Sequence, residues 1–565
     1  MQIKRLPIGF EDYKDIIKGN YYYVDKTLLI RELHDVGGKV NLFLRPRRFG
    51  KTLTLSMLKY YYEDMGDKEQ NAANRALFDG MKIMSEPEAY REHTTAYPVI
   101  SLTLKSAKQR TFQEAFSALT ESLAYEYNRH TTVSGKLSNE ADRARWKQTV
   151  SRKGSREDYN TSLLFLSRCL YEVYGKRSVI LIDEYDVPLE SAYFNGYYEE
   201  MAGFIRSLFE SALKTNPFLE FAVITGCLRI SRESIFTGMN NLLVMSVLDN
   251  YFGEHYGFTQ EELDGMLSYY HRESRMGDLR QWFNGYRIGG QYVYNPWSIV
   301  NSVWDILKVE GSPLKPYWAN TSSNDIVRTA VEKSGARDRA EIETLLAGGA
   351  LTKPIREDIT YADLTRAGGN LWNFMLFTGY LTAASVWQEG NDIVAELVIP
   401  NAEVKSIYRN TIHEWFNHIV RQKDLSGFYR AVVNGDAPAA EEYLRGVLAE
   451  TISFHDYAEN YYHGVLTGLL SGMETHIARS NRESGRGRPD ITLTPLSVRG
   501  TVVIIEVKIC PKATDLEKAA HTALTQIEKQ GYEAEYRAEG YQTFVRYGAA
   551  FYKKDVVLRV YRATS

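Results

Sequence analysis

At 565 residues the chain is too long for one hydrophobic core, and three or four domains are expected. Its 68 Lys and Arg nearly balance 71 Asp and Glu, for a net charge of −3, which excludes a protein that coats nucleic acid by bulk charge and leaves room only for a local basic groove. Three scattered cysteines (Cys169, Cys227 and Cys510) fit neither a disulfide framework nor a zinc site, "MQIKRLPIGF" lacks a signal-peptide core, and no apolar run approaches a membrane span, so a cytoplasmic protein without membrane contact is expected.

In chain order, "KVNLFL" (Lys39 to Leu44) is an apolar run suited to a buried strand, and "TLTLSMLKYYYEDM" after it has helical spacing with no Pro. Between them lies "RPRRFGKT", Arg45 to Thr52. Strand, loop and helix with Gly50-Lys51-Thr52 at the helix start is the context of a phosphate-binding loop, although Arg45 stands where the first glycine is usual. Lys51 is suited to the β- and γ-phosphates of ATP and the Thr52 hydroxyl to Mg²⁺. "YPVISLTL" (Tyr97 to Leu104) reads as a second strand, with a helix around Phe112 to Tyr127. "SVILIDEYD" (Ser178 to Asp186) reads as a doubly buried strand delivering Asp183 and Glu184 to its carboxyl end, where ligands bind in parallel sheets. Asp183 suits the magnesium and Glu184 the polarisation of an attacking water. "LEFAVITG" (Leu219 to Gly226) follows a helix around Tyr197 to Lys214 and ends near Thr225, a candidate γ-phosphate sensor. Arg229 and Arg232 lie just beyond, each either a cis-acting arginine or a solvated loop residue.

These stretches, with "YYYVDKT" (Tyr21 to Thr27), "TGCLRISRESIF" (Thr225 to Phe236) and "NPWSI" (Asn295 to Ile299), together resemble the bacterial AAA-ATPase-like family, whose phosphate loop commonly reads Arg-Pro-Arg-Arg-Phe-Gly-Lys-Ser/Thr. The resemblance implies an ATP site that includes Arg48, Phe49, Gly50, Lys51, Thr52, Asp183, Thr225 and Arg229. Which of Arg45, Arg47, Arg48, Arg229 and Arg232 touches phosphate stays open. The backbone amides near Gly50 make most of an anion nest, so Pro46 can shape a turn without the first glycine.

From about Phe258 to Ala449 a helical region is expected, either a lid and spacer or a winged-helix unit. It opens on a Thr259–Glu262 capping box, turns at Asn284-Gly285, and continues into a Pro-initiated helix. "WNFMLFTGYLTAAS" reads as helix and turn, and "IVAELVIPNAEVKSIYRNTIHEWF" as a strand and a helix capped near Asn401.

The last 115 or so residues carry a second constellation. "TVVIIEVKI" (Thr501 to Ile509) is a β-branched strand with Glu506 and Lys508 on one face, and Asp490 opens an adjoining strand. A charge in an apolar strand is costly unless paired or metal-bound. Asp490 and Glu506 would ligate Mg²⁺, and Lys508 would position or deprotonate the attacking water. Pro-Asp, about fifteen residues, then Glu-x-Lys resembles the PD-(D/E)XK nuclease superfamily. The resemblance implies that Gln526, on the following helix and just before Tyr532, contacts the site. Glu459 and Glu483 are rival further ligands. Acidic and basic residues are nearly equal over 450–565, so a DNA groove must be local, with Arg479, Arg482, Arg486 and Arg488 as candidates.

The expected architecture is thus α/β: a P-loop NTPase domain with a parallel sheet over 1–257, the helical middle over 258–449, and a restriction-endonuclease-like α/β domain over 450–565. Two readings follow. One is an ATP-driven switch coupled to a Mg-dependent nuclease acting on nucleic acid, DNA being the expected form. The other is an ATP-regulated interaction or signalling module whose nuclease-like domain binds without cleaving. Oligomeric state is left open.

Overall fold

The computed structural model describes residues 3–229, 235–236, 239–309, 311–318, 336–357, 370–422, 424–450, 459–480 and 489–564. The chain divides into two compact units, Met1–Ser323 with Thr352–Ser406, and Asn324–Leu351 with Ile407–Ser565. The expected middle domain is therefore shared between the two.

In the first unit the apolar runs form a five-stranded parallel sheet of β1 (Val40–Leu44), β2 (Val99–Thr103), β3 (Ser178–Asp183), β4 (Leu219–Gly226) and β5 (Leu242–Met245), in the order β2-β3-β4-β1-β5. Every residue of β1 and β3 is buried, as expected of strands covered on both faces. Helix Lys51–Tyr62 lies against the sheet, and its Met57, Leu58, Tyr61 and Tyr62 join Phe43, Val179, Leu181 and Val223 in the core. The Thr259–Glu262 capping box opens helix Gln260–Tyr269, and Pro296 opens helix Pro296–Lys308.

One expectation for the middle is corrected. Asn284 caps helix Met276–Phe283, and the hairpin that follows, β6 (Tyr286–Ile288) and β7 (Gln291–Val293), turns instead at Gly289-Gly290, both at positive φ. The stretch Trp372 to Ser385 continues helix Asn370–Thr378, turns at Gly379, at positive φ, and then enters β9 (Thr382–Glu389), which pairs antiparallel with β10 (Asp392–Val398) in a three-stranded sheet with β8 (Leu351–Ile355). Asn401 caps helix Ala402–Gln422, its Oδ1 accepting from Val404 N at 3.0 Å.

Glu403, in that first turn, is buried, accepting from Ser298 Oγ at 2.7 Å and from Trp318 N at 2.9 Å. Burial raises its carboxyl from 4.5 to about 7. The fold then keeps a proton that the unfolded chain releases above pH 4.5, so stability falls as pH rises from about 4.5 to 7 and levels off above. The loss is about 3 kcal/mol, at roughly 1.4 kcal/mol per unit. Glu403→Gln has no proton to lose, and Ser298 can turn its hydroxyl to accept from the new amide. Its melting temperature, followed from pH 5 to pH 8, should fall less steeply than the wild type's. Parallel profiles for the two proteins would show that Glu403 is not held neutral.

The second unit is built on a mixed sheet, β11 (His476–Ser480), β12 (Ile491–Pro495), β13 (Thr501–Ile509), β14 (Thr543–Tyr552) and β15 (Asp555–Thr564) in sequential order. Only β13 and β14 run parallel, and helix Leu516–Gln530 makes the crossover between them. Gly548 of β14 stands opposite Glu506, and a Cβ there would collide with the Ala520 carbonyl of that helix. Glycine thus lets the helix lie close over the sheet.

Candidate functional sites

In the first unit, β1 delivers the chain into a loop that ends at the N-terminus of helix Lys51–Tyr62, where unpaired N–H groups and the helix dipole favour an anion. Arg48 at φ 70° and Gly50 at φ 84° both take the left-handed conformation that curls the loop. Arg45 is fully buried, and its guanidinium donates to the carbonyls of Leu44 (3.0 Å), Met245 (2.8 Å) and Ser246 (2.8 Å), over the ring of Tyr256. The side chain in the first-glycine position therefore closes the ends of β1 and β5. Burial lowers its pKa to about 10.

Lys51 Nζ donates to the carbonyls of Arg45 and Pro46, each at 2.9 Å, and lies 3.4 Å from Cys227 Sγ. Thr52 Oγ1 donates to Asp183 Oδ2 at 2.7 Å, and Thr225 Oγ1 donates to Asp183 Oδ1 at 2.5 Å. Three residues nominated from three separate stretches thus converge at one carboxylate. Both Thr52 and Asp183 offer hard oxygen donors, the kind Mg²⁺ takes. Glu184 follows at φ 53°, a left-handed backbone that costs a non-glycine residue about 1 kcal/mol or more and that concentrates at functional sites. Burial and the neighbouring Asp183 raise its carboxyl pKa, while Lys51 and Lys105 pull it back. A cavity of 540 Å³ opens here, bordered by Arg47 to Thr54, Glu184 and Cys227 at one end and by Ile8, Tyr22, Pro296 and Trp297 at the other.

The other nominated residues fall as follows. Arg48 stacks over the Trp297 ring at 4.6 Å, and Phe49 packs its ring against Tyr286. Arg47 pairs with Glu190 at 2.5 Å. Arg229, expected on the phosphates, instead pairs with Glu357 at 3.3 Å and does not line the cavity; an anionic partner within reach holds it there. Arg232 lies outside the described residues. Asp186, passed over in the sequence, accepts from Cys227 N (2.7 Å) and Leu228 N (3.0 Å) and so ties the turns after β3 and β4 together.

In the second unit, Glu506 is buried on β13 beside Lys508, whose Nζ reaches Oε1 at 3.2 Å. Gln526 Nε2 donates to the same oxygen. Glu506 Oε2 is buried with no partner. Asp490, immediately before β12, accepts from Val507 N at 2.8 Å, so both carboxylates meet at one edge of the β12–β13 pair. Burial and Asp490 push the Glu506 carboxyl up to about 7, with Lys508 opposing. An orphaned carboxylate oxygen beside a second carboxylate fits a hard divalent cation. Among the described residues no cluster of three or more His, Cys, Asp or Glu stands ready to hold a metal.

Sequence reading missed His463 on helix Glu459–Leu470, whose Nε2 lies 2.8 Å from the Asp490 carbonyl and 3.2 Å from Ser480 Oγ. Its position one helical turn beyond Glu459 was the available signal. Glu483, Arg482, Arg486 and Arg488 lie outside the described residues, and Arg479 is exposed on β11.

Two family models match the chain: residues 7–236 match a predicted AAA-ATPase, and residues 457–560 the PD-(D/E)XK nuclease superfamily. The chain carries an AAA-ATPase-like domain and a PD-(D/E)XK nuclease superfamily domain. It is also similar to "Uncharacterized protein in vnfD 5'region" of Azotobacter chroococcum mcd 1, at 26% identity over 556 residues, covering 96% of this chain and 95% of that one. The AAA-ATPase-like match contains the whole Lys51–Thr52–Asp183–Glu184 constellation, and the nuclease-superfamily match contains Asp490, Glu506, Lys508 and Gln526. Among the described residues no helix is long and apolar enough to cross a membrane.

Proposed function

We propose that the protein binds and hydrolyses ATP in its AAA-ATPase-like domain and uses that cycle to control a Mg-dependent nuclease in its C-terminal domain. The observation that carries this reading is the convergence of intact carboxylates on oxygen- and phosphate-directed partners in both units: Thr52 on Asp183, and Lys508 and Gln526 on Glu506. At the first site the amides around Gly50 and the Lys51 ammonium bind the phosphates. Thr52 and Asp183 would hold Mg²⁺, which when bound neutralises charge between the β- and γ-phosphates. Glu184 orients a water and takes its proton, and the burial that raises its pKa makes it a stronger base than an exposed glutamate.

At the second site Asp490 and Glu506 would hold Mg²⁺, which supplies Lewis-acid polarisation of the scissile phosphate. Lys508 hydrogen-bonds the attacking water, and Gln526 and Lys508 hold Glu506 in place. Intact Asp490, Glu506 and Lys508 favour cleavage over a module that only binds. The substrate is nucleic acid, with DNA as the expected form.

Nucleotide binding is tested by thermal shift. ATP with Mg²⁺ at a hundredfold excess over Kd should stabilise the protein by about 2.7 kcal/mol. Lys51→Ala should remove most of that gain, since the ammonium that meets the phosphates is gone. An undiminished shift in the variant would remove Lys51 from the phosphate site.

A further inference from the structure

Each described arginine nominated for the phosphates already holds a partner in the chain, and Arg232 lies outside the described residues. Arg45 closes strand ends, Arg47 pairs with Glu190, Arg48 stacks on Trp297 and Arg229 pairs with Glu357. Yet phosphoryl transfer needs positive charge on the γ-phosphoryl oxygens beyond that of the loop lysine and the metal. Besides Lys26, Arg47, Arg48 and Lys51, the cavity is lined by Lys105 and Lys108, in the turn that leaves β2.

That turn is fixed at both ends. Leu104 N donates to the Asp183 carbonyl at 3.0 Å, which ties the exit of β2 to the carboxyl end of β3. At the other end the Gln109 carbonyl accepts from Ser191 Oγ at 2.7 Å and from Tyr197 OH at 2.6 Å, and the Gln109 side chain donates to the Ser106 carbonyl at 3.0 Å. Ala107 is buried beneath it. Lys105 reaches Glu11 at 3.1 Å with both side chains about half exposed, 53% and 50%, and an ion pair in that setting contributes little. It is open to exchange for a more highly charged partner. Lys51, Lys105 and Glu184 line the same cavity, and the Leu104–Asp183 bond holds the Lys105 turn beside the residue that precedes Glu184.

We propose that Lys105 is a catalytic residue of the ATPase site: its ammonium leaves Glu11 for the γ-phosphoryl oxygens and neutralises the charge that spreads over them during transfer. In that step the water oxygen bonds to the γ-phosphorus as the bond from that phosphorus to the bridging oxygen breaks. The bridging oxygen leaves on ADP, and the water proton passes to Glu184. The assignment rests on the ATP-hydrolysis reading above. It adds that the decisive cation comes from the same chain and is a lysine, braced by the β2–β3 edge.

The full-length protein should be titrated with ADP and with a non-hydrolysable ATP analogue, and then assayed for turnover. Wild type should prefer the triphosphate. Lys105→Ala should keep ADP affinity within about twofold, lose the preference for triphosphate, and lower kcat about a hundredfold. Lys105→Arg should restore part of both. Glu11→Gln should tighten triphosphate binding and leave ADP binding unmoved, because the competing carboxylate is gone. A Lys105→Ala protein that keeps both kcat and triphosphate preference overturns the proposal. Should wild type bind nucleotide without turnover, loss of triphosphate preference in Lys105→Ala supports the contact and its retention overturns it. A wild type that binds neither nucleotide overturns the ATP reading itself, and the Lys105 role with it.

Discussion

Lys508→Ala should lower nucleic-acid cleavage by about 10²–10⁴-fold, the usual contribution of a positioned proton-transfer group, while the ATP-induced thermal shift is retained. Retention is expected because Lys508 and Lys51 lie in different compact units. Lys508 is about a third exposed and touches Glu506 at 3.2 Å, so its removal opens no apolar cavity and should not unfold the sheet. Asp490→Asn and Glu506→Gln should differ from it in kind. Each deletes a charged oxygen ligand, so Mg²⁺ binding, read by calorimetry, should weaken in both and survive in Lys508→Ala. That contrast separates water activation from metal ligation. Cleavage that survives both Lys508→Ala and Asp490→Asn would put the nuclease chemistry on other residues.

Glu184→Gln should slow ATP hydrolysis by about 10²–10³-fold and leave ATP binding intact. The amide keeps the size and one hydrogen-bonding oxygen of the carboxylate and removes the charge that polarises water. Burial together with Asp183 already strains the ionised form, so the neutral side chain should be tolerated or slightly stabilising. The check is steady-state phosphate release alongside a nucleotide titration on the same protein. Undiminished hydrolysis would leave Glu184 as a strand-end residue and give the water to another group.

The two halves of the nucleotide site were legible because each is local. An apolar strand followed by Gly-Lys-Thr and a helix fixes where Thr52 emerges, and a second apolar strand fixes where Asp183 ends. A parallel sheet then has to bring the carboxyl ends together, as the 2.7 Å contact across 131 residues shows. Glu506 and Lys508 were legible from strand alternation alone. What stayed hidden depends on partners that are distant in the chain. Arg45 is one of five arginines the sequence leaves open as phosphate ligands, and only the approach of Met245 and Ser246 carbonyls turns it inward. Arg229 gave no sign of Glu357. Lys105 carries no motif; its signal is position, just past a strand whose end lies beside β3. β9 went unread because its opening Thr-Ala-Ala-Ser lacks the run of branched side chains that marks β10. Gly548 could be explained only once the helix above it was in place.

Control of one site by the other is the central claim, and one assay tests it directly. Wild-type protein and Lys51→Ala are incubated with labelled double-stranded DNA, single-stranded DNA and RNA, with and without Mg²⁺ and ATP. Wild type should cleave at least one substrate only with Mg²⁺ and at a rate that ATP changes, whereas Lys51→Ala should cleave the same substrate at a rate indifferent to ATP. Binding without cleavage in every wild-type lane, or cleavage that ATP leaves unchanged in wild type, would contradict the account.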